Sequence, residues 1–216
     1  MKKVPDTSKI FKLLKEKKSD YWEAEKQKKA ISVFNNAVKE VSAYKKFLKE
    51  NSISTSPIHS WDSFKELPSV DKNNYLRKFN LKDLSVDREL NLPLVYTSTS
   101  GSTGAPCYFH RSFDLDWRSS VIHELFYTST KSHKADVPTL VIDCFGMGVW
   151  IGGLITYEAF TYAQKRGYPI SIITPGINKS EIVKALKLLA PSYKQIIIAG
   201  YAPFVKDVID DASETI

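Results

Sequence analysis

Hydroxyl side chains and glycines are concentrated in one stretch of the chain, residues 96–107, which reads YTSTSGSTGAPC. Half of these residues are Ser or Thr, and strand-like residues flank the stretch on both sides. Glycine permits positive φ, so successive backbone N–H groups can turn toward one hollow, while hydroxyl groups add donors around its rim. Such a hollow suits an oxyanion such as phosphate. The stretch therefore predicts a strand, a tight phosphate-binding loop and a second strand.

Two common phosphate-binding loops do not fit this stretch. A Walker loop needs four residues between its glycines, followed by Gly-Lys and a helix, but Gly101 and Gly104 are too close together and no Lys follows. The G-x-G-x-x-G fingerprint of dinucleotide-binding folds is absent as well.

Residues 99–106, TSGSTGAP, resemble the phosphate-binding loop of the adenylate-forming superfamily of acyl- and aryl-coenzyme A ligases, T-S-G-S-T-G-x-P between two strands. Many members continue with Lys, where this chain has Cys107; the phenylacetate-coenzyme A ligase branch also lacks that Lys. The alternative is a Ser/Thr-rich hairpin that binds nothing. The resemblance implies that the phosphates of ATP contact six residues: Thr99, Ser100, Gly101, Ser102, Thr103 and Gly104.

A second glycine-rich segment, residues 145–153 (FGMGVWIGG), follows a predicted strand. It resembles the family's G-x-G-x-aromatic-x-G-G segment, which lines the acid-binding pocket and implies pocket roles for Met147, Gly148 and Trp150. Met147 stands where the phenylacetate-coenzyme A ligase branch usually has Tyr, which favours an apolar acid over an aryl acid. The alternative is that the glycines serve close packing and that Trp150 belongs to the core. Residues 64–72, FKELPSVDK, loosely resemble a Leu-Pro segment of the same branch.

Composition indicates a globular protein with a reducing, cytoplasmic location. The chain has 216 residues, 43% of them hydrophobic, and two cysteines with no disulfide or metal-binding spacing. No apolar run reaches the length of about 18 residues that spans a bilayer, so we expect no membrane partner. Of the 31 basic residues, fourteen lysines lie in residues 1–50. Because glutamates and a regular apolar stripe interleave with them, we expect a solvated helix face and not a nucleic-acid site.

Apolar periodicity and capping residues predict helices at residues 8–18, after a cap at Ser19 or Asp20, from Ala30 to near Asn51, at 60–67 and from Asp71. After the loop, a helix capped by Ser112 or Asp114 is predicted to bury a stripe made of Trp117, Val121, Ile122, Leu125 and Phe126. Strands are then predicted at residues 139–145, 169–174 and 195–199, alternating with helices at 150–165, 179–189 and 204–212. Because these strands are continuous apolar runs, we expect both faces of a parallel sheet to be covered.

These elements predict an α/β fold. A helical N-terminal segment, residues 1–90, precedes an α/β part, residues 91–216, made of the β-loop-β phosphate loop and a βαβαβα parallel-sheet unit. Asp143 and Cys144, on the first buried strand, are predicted to serve packing or a hydrogen bond. Surface or structural roles are predicted for the four histidines, His59, His110, His123 and His133. No residue is predicted to be catalytic, and none to bind a metal.

The resemblance implies an ATP-dependent carboxylic acid–coenzyme A ligase. In the family, ATP and the acid form an acyl-adenylate and pyrophosphate, Mg²⁺ supplies positive charge, and coenzyme A takes the acyl group as a thioester. Family members are longer, so we expect this sequence to be the N-terminal portion of such an enzyme, inactive alone and prone to self-association as a homo-oligomer. The alternatives are a non-catalytic nucleotide- or anion-binding module, an adenylating enzyme with a non-coenzyme A acceptor, and a basic interaction protein.

Overall fold

The computed structural model describes residues 5–86, 91–99, 106–129 and 135–215. The chain forms two compact units. A sheet unit comprises Met1–Ser8, Tyr96–Ser100 and Phe113–Ile216, and a helical unit comprises Lys9–Val95 and Gly101–Ser112. The first part of the chain forms α1 (Ser8–Glu16), α2 (Ser19–Glu40), α3 (Ser42–Glu50), α4 (Trp61–Lys65), a π-helical turn (Lys72–Leu76) and α5 (Leu81–Leu84).

The predicted helix from Ala30 to Asn51 is wrong in one respect, because the chain breaks at Val41. This residue adopts extended dihedrals, φ −113° and ψ 108°, between α2 and α3. A β-branched side chain tolerates extended backbone well, and the Val41 N–H still donates to Ala37 O at 2.9 Å. Three residues of the apolar stripe on which this prediction rests, Phe34, Val38 and Leu48, belong to one buried cluster of the helical unit.

Two of the predicted helix starts are confirmed, and one cap is wrong. Ser60 caps α4 by accepting a hydrogen bond from the Ser63 N–H at 3.1 Å, and Asp71 caps the π-helical turn. Helix α2 does begin at Ser19, but its N-cap is Lys18, which makes no side-chain cap.

The second part of the chain forms the predicted alternation of strands and helices. Its elements are β1 (Val95–Ser98), β2 (Tyr108–Arg111), α6 (Phe113–Ser129), β3 (Thr139–Asp143), α7 (Ile151–Lys165), β4 (Ile170–Ile173), α8 (Lys179–Leu188), β5 (Gln195–Ala199) and α9 (Ala202–Thr215). Strands β4, β3 and β5 lie in that order in one parallel sheet, with Thr139 opposite both Ile170 and Gln195. The prediction of a mixed α/β protein with a parallel sheet is therefore confirmed.

Strand β3 is buried at every position, as its continuous apolar run predicts. Its residues alternate between two cores. Val141 packs with Phe160 of α7, whereas Leu140 and Ile142 pack with Ile182 of α8. Helices thus cover both faces of the sheet.

The apolar stripe predicted for α6 is wrong in part: Val121 is buried as predicted, and Trp117 and Leu125 are half-buried. Ile122 and Phe126 are 70% and 54% exposed, although both were expected inside. The buried face of α6 carries three polar residues, Asp116, Ser120 and Glu124, beside Val121 and Tyr127. Ser120 and Glu124 are buried here because charged and hydroxyl partners from other parts of the sheet unit contact them.

Candidate functional site

The structure describes the strands that precede and follow the Ser/Thr/Gly stretch. Strand β1 ends at Ser98, Thr99 follows it, and β2 begins at Tyr108, so the two strands predicted on either side of the loop are confirmed. Thr99 is half-buried. The other five residues predicted to contact phosphate, Ser100, Gly101, Ser102, Thr103 and Gly104, lie outside the described residues, and their role stays a prediction.

The end of β1 lies beside the second glycine-rich segment. The Ser98 N–H donates to Val149 O at 2.8 Å, and Ser98 forms a parallel bridge with Trp150. Ser98 is only 2% exposed. The sheet unit therefore brings Thr99 close to Met147, Gly148 and Trp150, although these residues are far apart in sequence. We call residues 97–99 and 143–153 the carboxyl-edge region, because they lie where β3 ends.

Glycines shape residues 145–153 in two ways. Gly148 has φ +81°, which other residues rarely adopt, and it is exposed. Gly153 allows close packing, since a Cβ there would lie 2.5 Å from Met147 Sδ and 2.6 Å from Gly146 O. The packing interpretation therefore holds for Gly153.

Trp150 does not belong to the core. It is 40% exposed and is the N-cap of α7, where it makes no side-chain cap. A Cβ on Gly146 would lie 3.1 Å from Trp150 Cδ1, so the indole packs against the Gly146 backbone while part of it faces solvent. A half-exposed aromatic ring above an uncapped helix N-terminus suits an apolar ligand that carries a negative charge.

The carboxyl-edge region contains one buried carboxyl group, that of Asp143. It is fully buried at the end of β3, and its Oδ1 accepts a hydrogen bond from the Phe145 N–H at 3.1 Å. Its Oδ2 has no hydrogen-bond partner among the described residues. Burial raises the pKa of Asp143 to about 6. Of the two predicted roles, packing or a hydrogen bond, the hydrogen bond is confirmed, and the unsatisfied Oδ2 is an additional finding. The sequence signal for this buried carboxylate was its position at the end of an apolar run.

A second buried polar cluster in the sheet unit is structural. Glu124 Oε2 lies 2.7 Å from Arg166 Nη1, and Glu124 Oε1 accepts hydrogen bonds from Thr7 Oγ1 at 2.8 Å and Tyr168 Oη at 2.9 Å. Burial and the hydrogen bond to Glu124 raise the pKa of Tyr168 to about 12. These contacts tie residue 7 of the N-terminal segment to α6 and to the end of α7.

The histidines and cysteines form no metal centre in the described part of the chain. Within residues 5–86, 91–99, 106–129 and 135–215, no group of three or more His, Cys, Asp or Glu residues could hold a metal ion. His123 Nδ1 donates to Ser119 O at 2.9 Å within α6, a structural role, and His133 lies outside the described residues. Among the helices of that same part of the chain, none has the length and apolar character to cross a bilayer.

Neither the scan against protein-family models nor the search of curated proteins finds a match.

Proposed function

We propose that this chain binds Mg-ATP through residues 99–104 and forms the nucleotide- and acid-binding part of an ATP-dependent carboxylic acid–coenzyme A ligase of the phenylacetate-coenzyme A ligase type. One observation carries the proposal beyond the sequence resemblance. The hydrogen bond from the Ser98 N–H to Val149 O holds the entry of the Ser/Thr/Gly stretch against the segment expected to bind the acid. The entry of the Ser/Thr/Gly stretch and the segment expected to bind the acid therefore lie at one edge of the sheet.

The carboxyl edge of a parallel sheet is the usual ligand position in open α/β folds. Here that edge carries the Trp150 ring and the uncapped N-terminus of α7. An apolar acid would place its chain along Trp150 and Met147 and its carboxylate toward the positive end of the α7 dipole. Backbone N–H groups of residues 100–104 would hold the β- and γ-phosphates of ATP.

In this arrangement, the acid carboxylate attacks the α-phosphorus of ATP, and the bond to the pyrophosphate oxygen breaks. The chain's own contribution is to orient the two reactants and to donate hydrogen bonds to the leaving pyrophosphate. Coenzyme A would then displace AMP from the acyl-adenylate, forming the thioester.

Mg²⁺ would enter together with the phosphates. The described residues offer no group of three acidic, His or Cys ligands, and Asp143 Oδ2 is a buried carboxylate oxygen without a hydrogen-bond partner in the carboxyl-edge region. This donor set fits an ion held mainly by ATP oxygens and water, which is the usual manner of magnesium binding. When bound, Mg²⁺ neutralises charge on the phosphates.

Isothermal titration with Mg-ATP tests the proposal. We expect wild-type protein to bind Mg-ATP, and we expect Gly101→Val together with Gly104→Val to weaken that binding at least about tenfold, because the loop can no longer turn its N–H groups inward. The control is Ser56→Val, at an exposed position of the helical unit, which should leave the affinity unchanged. Equal affinity in the double variant and the wild type would refute the phosphate-loop assignment.

A further inference from the structure

Helix α1, whose residues 9–16 belong to the helical unit, has an apolar side that is not buried. The helix spans nine residues, and none of them is buried. Leu13 and Leu14 are 36% and 41% exposed, and Ile10 and Phe11 are half-buried. A helix of this length gains little stability in water from its own hydrogen bonds, so it depends on a surface that covers its apolar side.

Helical geometry separates the apolar and basic side chains of α1. At 3.6 residues per turn, the four apolar side chains fall within one arc of about 160° around the helix axis. Lys9 and Lys15 border this arc on its two sides, each about 40° from the nearest apolar side chain. We call six residues the α1 surface: Lys9, Ile10, Phe11, Leu13, Leu14 and Lys15.

The chain around the α1 surface is strongly basic. Residues 9–18 contain five lysines and one acidic residue, Glu16, which gives a net charge of +4. Glu16 Oε1 lies 3.8 Å from Lys12 Nζ, so the one carboxylate is next to a lysine outside the apolar arc. Among the side chains that the structure describes, no acidic group forms an ion pair with Lys9 or Lys15. The apolar arc is thus bordered on both sides by positive charge.

We propose that the α1 surface binds the surface of a membrane that contains anionic phospholipids, with the apolar arc at the acyl-chain boundary and Lys9 and Lys15 at lipid phosphates. Amphipathic helices with lysines beside an apolar arc adopt this position, because the long lysine side chains keep their ammonium groups among the headgroups while the apolar arc leaves water. The positive charge selects anionic headgroups. A nucleic acid would attract the lysines equally, but its phosphate backbone would not cover the leucines.

This inference goes beyond the proposed function and does not rest on the phosphate loop. The predicted absence of a membrane partner rests on the length of apolar runs, which decides whether a segment spans a bilayer, whereas binding at the surface needs only one apolar side of a helix. A protein that binds vesicles but not Mg-ATP would keep this inference and lose the proposed function. A protein that binds Mg-ATP but not vesicles would do the reverse.

Co-sedimentation of the full chain with lipid vesicles tests the proposal. We expect binding to phosphatidylcholine vesicles that contain phosphatidylglycerol, and binding at least about tenfold weaker to vesicles of phosphatidylcholine alone. Lys9→Gln together with Lys15→Gln should weaken binding to the anionic vesicles about tenfold or more, because two cations leave the headgroup region. The matched control is Lys187→Gln together with Lys194→Gln, which removes the same charge from two exposed positions of the sheet unit and should leave binding unchanged.

A second pair of variants tests the apolar arc. Leu13→Gln together with Leu14→Gln should weaken binding to the anionic vesicles about tenfold or more, because these side chains no longer gain by leaving water. The matched control is Leu188→Gln together with Leu189→Gln, two adjacent leucines at the end of α8 that are 75% and 39% exposed. This control should bind as the wild type does, and circular dichroism checks that each variant is folded.

The same amount of wild-type protein in the pellet with and without anionic vesicles would overturn the proposal. So would equal losses in the α1 variants and their controls. Full-strength binding by the folded Leu13→Gln, Leu14→Gln variant would show a purely electrostatic contact and would also overturn it. Binding to a short DNA duplex that is tighter than binding to vesicles and insensitive to the leucine substitutions would identify a nucleic-acid site instead. If the leucine variant does not fold, the comparison of the two lysine variants decides.

Discussion

Glu124 is a buried acid whose two oxygens meet a cation and two hydroxyl groups. Its side chain is 3% exposed, and that of its partner Arg166 is 7% exposed. Burying both ions costs solvation, so the pair is not simply a source of stability. Removing one partner, however, lowers the stability, because the other charge then stays buried without its counter-ion.

We therefore expect Glu124→Gln to lower the free energy of unfolding by about 3 to 5 kcal/mol, measured by urea denaturation. The matched control lies on the same helix. Asp114 and Arg118 form an ion pair at 2.8 Å whose side chains are 65% and 69% exposed, and Asp114→Asn should cost less than about 1 kcal/mol. Similar losses in the two variants would contradict the structural role given to Glu124.

Asp143 should make stability depend on pH in the acidic range. Its folded-state pKa of about 6 lies above the ordinary value of 3.8, because burial disfavours the charged form. Between these two values the folded state binds more protons than the unfolded state, so stability falls as pH rises through this window and stays low above it.

The variant Asp143→Asn removes this titration. Relative to the wild type, we expect its stability to improve by about 1 to 3 kcal/mol between pH 4 and pH 7, measured as the difference between the two unfolding curves at each pH. Cys144→Ser, at the next buried position, keeps the carboxyl and should retain the wild-type slope. Parallel pH profiles for wild type and Asp143→Asn would show that this carboxyl titrates normally.

The strands and helices after residue 138 could be predicted because each is a single apolar run or stripe bounded by polar residues. Strand β5 has the predicted bounds, and β3 differs only in ending at Asp143. The break at Val41 could not be predicted from apolar spacing, because the buried residues of α2 and α3 belong to the same cluster and their spacing continues across the break. The buried polar residues of α6 were missed for a different reason: they find partners, Thr7 and Arg166, that are distant in sequence.

The start of α7 offers a test of the carboxyl-edge region with two neighbouring glycines. A Cβ at Gly152 would meet only Phe145, at 3.4 Å, whereas a Cβ at Gly153 would lie within 2.6 Å of Met147 and of the Gly146 backbone. Alanine favours helices over glycine by about 1 kcal/mol. We expect Gly152→Ala to be neutral or slightly stabilising.

Gly153→Ala, in contrast, should lower stability by more than about 1 kcal/mol and displace residues 146–147. Thermal unfolding measures the first effect. The second is measured as a change in tryptophan fluorescence that is lost in a Trp150→Phe background, because the Trp150 ring packs on Gly146 and the chain has four tryptophans. If the two alanine variants have the same thermal stability and the same fluorescence, Met147 does not pack closely against Gly153 of α7.

At the scale of the whole chain, the sequence predicts a helical N-terminal segment and an α/β part. The structure forms two compact units with separate buried clusters. The cluster around Phe47 belongs to the helical unit, while the clusters around Val141 and Ile142 belong to the sheet unit. Sequence reasoning found the two glycine-rich segments but not the backbone hydrogen bond between Ser98 and Val149, because main-chain pairing of distant residues leaves no side-chain pattern.

The central claim is that residues 99–104 hold the phosphates of ATP. Amide chemical shifts of the ¹⁵N-labelled protein, followed during titration with Mg-ATP and separately with adenosine, test it most directly. We predict saturable shifts of the Gly101, Ser102, Thr103 and Gly104 amides with Mg-ATP, and no such shifts with adenosine, because the loop contacts phosphate and not the base. Unchanged amides in this loop at saturating Mg-ATP, or equal shifts with adenosine, would contradict the claim.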